Sequence, residues 1–304
     1  MFKTVWVTAA ALVAAGGGVS SADAAVLTVQ GRAQISYFAW SIYDADPNDG
    51  LAASMSFLDS TNAMRSLTTM SLYRTADGEE IQSSSKSTYS PSTNLVPIDT
   101  RAQVVRSDGA GGSWVRPDSY MRAQGQVFDA GIGFNASAGF STTATEGFSP
   151  TFYNLMLGPD TGVRLSAYGI AESWLAGGRG SYSGSYVQLF ARFSAPTASG
   201  EYDPAHGITK SDRVSADLYA DSPEVIANNG QLTLQMKQRN LNLTFENLTG
   251  QAMVGRIRAL TDASGESLPV FAPVPEPGSA ALLLLGASGL VMLGRRQPVR
   301  RNRN

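Results

Sequence analysis

The segment Phe128–Phe140 reads FDAGIGFNASAGF and alternates apolar with small or polar residues along its whole length. A period of two is that of a β-strand with one buried face. Because the segment is longer than a usual strand, we expect a bend near Asn135. The buried face of this predicted strand would carry Phe128, Ala130, Ile132, Phe134, Ala136, Ala138 and Phe140.

Similar alternation recurs elsewhere in the chain. Ile35–Tyr43 is rich in β-branched and aromatic residues and places Phe38, Trp40 and Ile42 on one face. Further alternating runs lie at Val163–Trp174, Tyr182–Phe193, Gln231–Gln238 and Asn240–Asn247, and we expect the last two to pair. Turn residues separate the runs, and no long amphipathic helix lies between them. The sequence therefore predicts an all-β ectodomain over residues 25–267, an antiparallel β-sandwich that is jelly-roll-like or immunoglobulin-like.

Other parts of the body have the composition of turns and loops. The segment 44–50 has turn chemistry, and Leu51–Leu58 is predicted to return as a partner strand. The polar, Ser/Thr-rich segment Ala76–Thr100 predicts a long surface excursion. We also expect loops at Ser107–Gly112 and Thr261–Ser267.

Composition and charge exclude several kinds of function. The 304 residues include no cysteine, which excludes a disulfide framework, a thiolate zinc site and a cysteine nucleophile. Without the leader charges Lys3 and Asp23 and the five tail arginines, 17 basic and 24 acidic residues remain, a net charge of −7. Such an acidic body argues against a nucleic-acid partner.

The N-terminus has the features of a secretory signal peptide over residues 1–24. Lys3 supplies a positive charge, and the apolar stretch Val5–Ala15 follows it. Ala22-Asp23-Ala24 then matches the small-x-small pattern that precedes a cleavage site. The mature chain would begin at Ala25.

The C-terminus combines a proline-rich linker at residues 268–277, an apolar run and a basic tail at residues 295–304. The run Ala280–Gly294 carries no charge, and we expect a transmembrane helix over residues 278–294. As a helix, Ala280–Gly294 would span roughly 22 Å, which is short against a hydrocarbon core of about 30 Å. The basic residues that would keep the tail cytoplasmic are Arg295, Arg296, Arg300, Arg301 and Arg303.

Residues 274–304 as a whole resemble the PEP-CTERM sorting signal of Gram-negative bacteria. The motif itself is Val274, Pro275, Glu276, Pro277 and Gly278. The resemblance implies export through the inner membrane, transient anchoring there, and recognition and cleavage by an exosortase. Delivery to the cell surface or to the extracellular polysaccharide matrix would follow. The alternative is an ordinary tail anchor without processing.

One loop has the residue types of a calcium site. Oxygen ligands alternate along Asp44, Asp46, Asn48 and Asp49, directly before Gly50. The loop departs from the EF-hand pattern because Pro47 intrudes and Met55 stands where the bidentate glutamate belongs. The alternative is a solvated turn, since these are ordinary turn residues.

Aromatic residues offer a second candidate site, for sugar. The candidates for a binding platform are Trp40, Trp114, Trp174, Tyr182 and Tyr186. Trp114 lies in the glycine-rich segment Gly111–Trp114, predicted to be a loop, and is the best candidate for an exposed ring. The alternative is that these rings pack in the core.

Catalytic residues are not indicated by the sequence. His206 is the single histidine, and no Gly-x-Ser-x-Gly elbow supplies a nucleophile for a triad. Glu146, Glu172 and Glu224 could be paired as glycosidase acids only by arbitrary choice. We therefore expect a non-enzymatic structural or adhesive surface protein without a cofactor, whose partners are an exosortase, the inner membrane and extracellular polysaccharide. The alternatives are a carbohydrate-binding module and a secreted hydrolase.

Overall fold

The structure is a computed structural model that describes residues 28–58, 64–90, 97–142, 154–176, 181–228 and 231–268. These residues form fourteen strands and one short helix, α1 (Pro223–Ala227). In chain order the strands are β1 (Thr28–Asp44), β2 (Met55–Phe57), β3 (Met64–Arg74), β4 (Glu80–Ser90), β5 (Thr100–Val105), β6 (Gly109–Arg116), β7 (Tyr120–Val127), β8 (Ile132–Ser141), β9 (Leu155–Leu157), β10 (Thr161–Ala176), β11 (Tyr182–Ser194), β12 (Ile208–Tyr219), β13 (Thr233–Asn247) and β14 (Met253–Ser267).

The predicted signal peptide, sorting motif, transmembrane helix and basic tail all lie outside the described residues and stay predictions. Of the ten linker residues predicted at 268–277, only Leu268 is described. Within the described ranges, no helix has the length and apolar character needed to cross a membrane.

The strands form two antiparallel sheets, which confirms the predicted all-β class. The six-stranded sheet has the order β13-β10-β1-β7-β6-β5. The eight-stranded sheet has the order β12-β11-β14-β8-β3-β4, and β9 joins β2 to β14 at its margin. The largest group of buried apolar residues draws on both sheets, for example Ile35 and Leu165 from the first and Phe140 and Leu189 from the second. The two sheets therefore pack face to face around a shared core.

The structure confirms the predicted buried face of the segment Phe128–Phe140 only from Phe134 onward, within β8. Phe134, Ala136, Ala138 and Phe140 are buried, whereas Phe128 is 40% exposed and precedes the strand. The chain turns before β8 at Gly131, which has φ of 83° and donates its N–H to the carbonyl of Ser267. The prediction of a bend near Asn135 was wrong, because β8 pairs with both β3 and β14 through Asn135 without a shift in register.

The strand β1 contains a bulge at Tyr37. Its pairing with β10 shifts between Ser36 and Ala39, and Tyr37 has φ of 57° with 81% of its surface exposed. An extra residue of this kind reverses which positions face inward. Ile35 is therefore buried before the bulge and Phe38 after it. The predicted common face of Phe38, Trp40 and Ile42 is confirmed, because all three pack in or against the core.

Three predicted loops contain strands. The predicted loop Ser107–Gly112 includes the first half of β6, which begins at Gly109. The segment Ala76–Thr100 contains β4, which pairs with β3 at the edge of the eight-stranded sheet. The β4 residues whose burial is described are exposed or only partly buried, so the strand shows no apolar alternation in the sequence. The segment Thr261–Ser267 belongs to β14, where its polar side chains alternate with Ala263 and Gly265 on the inner face.

Two predicted pairings were wrong. Gln231–Gln238 and Asn240–Asn247 do not pair with each other, because β13 runs through both and pairs with β10 along its length. Odd-numbered residues of β13 face inward, as buried Leu241 does. The apolar residues at even positions therefore point outward. Leu51–Leu58 also does not pair with β1, because β2 pairs with β9.

Small residues bring the two sheets into close contact. Packed sheets usually lie about 10 Å apart with large side chains between them. Here inward-facing serines reach across and donate hydrogen bonds to backbone carbonyls of the opposite sheet. These pairs are Ser113 Oγ to Thr69 O (2.9 Å), Ser173 Oγ to Ala216 O (2.7 Å), Ser183 Oγ to Gln30 O (2.5 Å) and Ser185 Oγ to Glu172 O (2.9 Å).

Glycines make room for Phe134, the aromatic residue of the second-largest cluster of buried apolar side chains. Its ring lies against Gly125 of the opposite sheet and against Gly265, its cross-strand neighbour on β14. A Cβ atom on Gly125 would overlap the phenyl ring itself. Phe134 is fully buried, so the ring has no free space into which it could move.

We predict that Gly125→Ala destabilises the protein by about 1–3 kcal/mol, as overpacking of a filled core does. Denaturant unfolding followed by tryptophan fluorescence measures the change. Gly250→Ala is the matched control, because a Cβ there meets nothing within 4 Å. We expect the control to change stability by less than about 0.5 kcal/mol. Equal stability of Gly125→Ala and the parent chain would contradict the packing described for Phe134.

Candidate functional site

The outer face of the six-stranded sheet carries a cluster of glutamines. Their strand neighbours are buried, so the glutamine side chains point away from the core. The register places Gln30 of β1 opposite Gln126 of β7, and places Gln103 of β5 and Gln124 of β7 on either side of Gly112. The cluster on β1, β5 and β7 consists of Gln30, Gln34, Gln103, Gln124 and Gln126.

Four of these glutamines line a pocket of about 190 Å³, together with the side chain of Trp114. Gln34 is not among them, because it donates to Ser36 Oγ (3.1 Å) and accepts from the hydroxyl of Tyr120 (3.2 Å). Small residues such as Ala110 and Gly111 also line the pocket and leave its centre open. The four lining glutamines are Gln30, Gln103, Gln124 and Gln126.

Trp114 lies in the strand β6, and the prediction that it belongs to a loop was wrong. Its ring lies over Gly112, two residues earlier on the same face, at 3.3 Å from the position that a Cβ would take. The guanidinium groups of Arg101 and Arg122, its neighbours on β5 and β7, lie 5.7 and 5.6 Å from the ring centre. The glycines of this segment therefore serve packing on both faces of a strand rather than a loop.

The two arginines also orient the glutamines beside them. Arg101 donates to Oε1 of Gln103 (2.7 Å), and Arg122 donates to Oε1 of Gln124. A guanidinium group has donors only, so each amide must turn its oxygen toward the arginine. Among the described residues, the side chains of Gln30 and Gln126 have no hydrogen-bond partner. The pocket thus holds amide groups that are free to bind a ligand.

Glu172 lies on the same sheet face but is not arranged for catalysis. It is buried and forms an ion pair with Arg32. Burial raises the pKa of Glu172, while the nearby charges of Arg32 and Arg122 oppose that rise. Of the other two acids considered, Glu224 lies exposed in α1, and Glu146 lies outside the described residues.

A second tryptophan lies on the same outer face. Trp174 of β10 stands directly opposite Gln30 on one side and Leu234 of β13 on the other. Leu234 and Met236 are 54% and 51% exposed, so this end of the face is apolar. From strand spacing, the backbones at Trp114 and Trp174 lie roughly 20 Å apart, with the glutamines between them.

The structure separates the predicted aromatic platform into three groups. Trp114 and Trp174 share the face just described. Trp40 packs against the core, whereas Tyr182 and Tyr186 lie on the outer face of the other sheet. The glutamines were not predicted as site residues, although their spacing in QGRAQ (30–34) and QGQ (124–126) marks the outward positions of alternating strands.

The predicted calcium loop is a series of turns. Asp44 Oδ1 accepts the N–H of Asp46 (3.0 Å), Asp46 Oδ1 accepts the N–H of Asn48 (3.1 Å), and Asp49 Oδ1 accepts the N–H of Leu51 (2.7 Å). These bonds are typical of Asx turns, which is the alternative interpretation of the sequence. In the described part of the chain, no group of three or more acidic or histidine side chains is placed to hold a metal ion.

His206 lies in an exposed loop, as its surroundings in the sequence predict. Its Nδ1 atom is 2.7 Å from Oδ2 of Asp203. This contact, together with hydrogen bonds from Ala205 and His206, lowers the pKa of Asp203. A histidine–aspartate pair is only part of a triad, and no nucleophile contacts it among the described residues.

Neither a family model nor a curated protein sequence matches this chain. The chemistry of the site therefore rests on its own residues.

The turn that contains Asp44, Asp46 and Asp49 also brings their negative charges close to Asp160. Asp160 has φ of 45°, and partial burial, followed by the charges of Asp49, Asp46 and Asp44, raises its pKa. A carboxyl group whose pKa is raised on folding favours the folded state below its unfolded pKa. That contribution is lost as the pH rises through the folded pKa. At neutral pH the carboxylates repel one another.

We predict that Asp160→Asn raises the melting temperature at pH 7, because it removes one of these charges and asparagine tolerates a positive φ. At pH 3 the gain should disappear, because Asp160, whose pKa is raised, is then largely protonated and carries little charge to remove. Thermal unfolding at both pH values measures this. Asp160→Ala is the control, since it removes the same charge but introduces backbone strain at positive φ. An equal gain for Asp160→Asn at both pH values would contradict the electrostatic explanation.

Proposed function

We propose that this protein is an exported, non-catalytic protein of the cell surface or extracellular matrix that binds polysaccharide. The outer face of the six-stranded sheet would be its binding surface. The single observation that carries the proposal is the pocket of four glutamine amides on the face that also holds Trp114 and Trp174.

The chemistry of this face suits a sugar chain. An amide group offers donors and an acceptor, which match the hydroxyl groups of a sugar. Indole rings pack against the apolar faces of sugar rings while their N–H groups remain available. A sheet face that is only solvated would be expected to carry β-branched residues and mixed charges. This face instead carries glutamines at neighbouring positions on three strands. The distance between the tryptophans gives room for several sugar units.

The two ends of the chain support export as the setting. A signal peptide over residues 1–24 would bring the body across the inner membrane. The resemblance of residues 274–304 to a PEP-CTERM signal supports anchoring in that membrane, followed by cleavage by an exosortase. The body would then reach the matrix as a β-sandwich, jelly-roll-like or immunoglobulin-like, and its acidic character disfavours nucleic acid as its ligand.

A secreted hydrolase is the other candidate, and no observation on the described residues favours it. Glu172, the carboxylate closest to the pocket by register, is in an ion pair with Arg32. Catalysis by acid and base would need a second carboxyl group facing the same sugar bond.

We predict that Trp114→Ala weakens binding of the full-length protein to the matrix polysaccharide of its bacterium by about tenfold or more, as loss of a central aromatic contact does. Trp174→Ala should have a smaller effect, because Trp174 is not among the residues that line the pocket. Affinity electrophoresis in gels containing the polysaccharide measures both. Tyr219→Ala, which removes an exposed aromatic ring from the opposite sheet, is the control and should leave binding unchanged.

The proposed binding function would be wrong if Trp114→Ala bound the polysaccharide as well as the parent protein. A melting temperature within about 2 °C of the parent would show that each variant is folded.

We predict that replacing Pro275, Glu276 and Pro277 together by alanine leaves the protein in the inner membrane as an uncleaved precursor. The change removes the Pro-Glu-Pro motif that a processing enzyme would recognise. Membrane fractionation and the mass of the released chain measure the result. Pro273→Ala, outside the motif, is the control. Normal release of the triple variant would leave the ordinary tail anchor as the better explanation.

A further inference from the structure

Two arginines beside the pocket have no acidic partner. Arg101, Trp114 and Arg122 lie in one row across β5, β6 and β7. Each arginine donates to a neighbouring glutamine, and neither forms an ion pair with another described residue. Arg32, on the same sheet face, is by contrast paired with Glu172. The row therefore carries two positive charges with no carboxylate in an ion pair, and Glu172, which acts on Arg122 from a distance, is already paired with Arg32.

The carboxylates that face this region are engaged elsewhere or set apart. Glu172 is paired with Arg32, and Asp108 in the β5–β6 turn is 3.1 Å from Arg106. Asp99, just before β5, forms no ion pair with the described residues. The local surplus of positive charge is notable because the body as a whole carries 24 acidic and 17 basic residues.

The polar groups beside these two arginines also offer mainly hydrogen-bond donors to a ligand. The amide oxygens of Gln103 and Gln124 already accept from Arg101 and Arg122. Their NH₂ groups are the ends left for a ligand, and guanidinium groups offer donors only. A ligand that fits must therefore present acceptors. A carboxylate presents acceptors alone and matches the planar guanidinium group.

We propose that the pocket is selective for an acidic sugar, a uronate whose carboxylate binds the guanidinium groups of Arg101 and Arg122 at the edge of the pocket, beside the ring of Trp114. The NH₂ groups of Gln103 and Gln124 complete its hydrogen bonding, and the ring of Trp114 packs against the sugar. This inference rests on the proposed function, because it names the class of sugar that the same face binds. Neutral sugars would lack the charge-assisted bonds to both guanidinium groups.

The test compares two probes with the same sugar backbone, tetragalacturonate, whose carboxylates are free, and its fully methyl-esterified form, which is uncharged. Binding of each to the full-length protein in detergent is measured by isothermal titration calorimetry. We expect the acid to bind about tenfold or more tightly than the ester, as a charge-assisted hydrogen bond allows. In Arg101→Gln and Arg122→Gln this preference should fall severalfold, while binding of the ester changes little. Arg164→Gln, which removes a charge on the same sheet face next to Tyr43, should keep the preference.

Each other outcome overturns the inference in a recognisable way. Equal binding of acid and ester, both lost in Trp114→Ala, would leave the sugar-binding function in place and refute the preference for acid. A preference that persists in both arginine variants would place the charge recognition elsewhere. If neither probe binds while the matrix polysaccharide does, the pocket takes a different sugar. If that polysaccharide does not bind either, the proposed function fails as well.

Discussion

The close contact between the two sheets is the constraint on which the rest of this structure depends. Serine hydroxyl groups on the inner faces donate directly to carbonyl oxygens of the opposite sheet, which requires that small residues line both faces there. Each such bond also satisfies a buried hydroxyl group that would otherwise destabilise the core. The abundance of glycine and serine in the sequence, which by composition alone could indicate loops, is thus explained by a tightly packed interior. Where the sheets meet most closely, glycines make room for a large side chain, as Gly125 does for Phe134.

The strands that meet the opposite sheet also carry the candidate site on their outer face. Gly111 and Gly125 lie beneath the pocket, and from the inner side they contact Met70 and Phe134 of the opposite sheet. A side chain at either position would point into the core, so these two glycines let the sheets meet. On the outer face, the small residue Ala110 leaves the centre of the pocket open, and Gly112 gives the indole ring of Trp114 a flat support. The core and the binding face therefore depend on alternate residues of the same strands.

Much of the fold could be predicted from the sequence wherever inward positions are large and apolar, as in Val187–Phe193. The prediction failed where that signal is absent or reversed. The edge strand β4 buries little, so alternation alone assigns it to a loop. The apolar residues at the start of β13 point outward, although alternation alone assigns them to the core. The site was harder still. Gln30 and Gln126 lie opposite each other only because β1 pairs with β7, and nothing local in the sequence indicates which strands pair. Trp114 could be named from its residue type, but its arginine neighbours come from two other strands.

The binding face differs in charge from the rest of the body, because it carries Arg101 and Arg122 whereas the body as a whole is acidic. A polyanion approaching the body at long range would be repelled, and at about 0.1 M salt that repulsion is screened beyond about 10 Å. Affinity for an acidic chain must therefore come from contacts at the pocket and not from attraction by the whole protein. Arg101 and Arg122 are suited to this because they are held by Trp114 and by the glutamines before any ligand arrives. A preorganised pair loses little conformational freedom on binding, which favours recognition of one charged group over general attraction to a charged polymer.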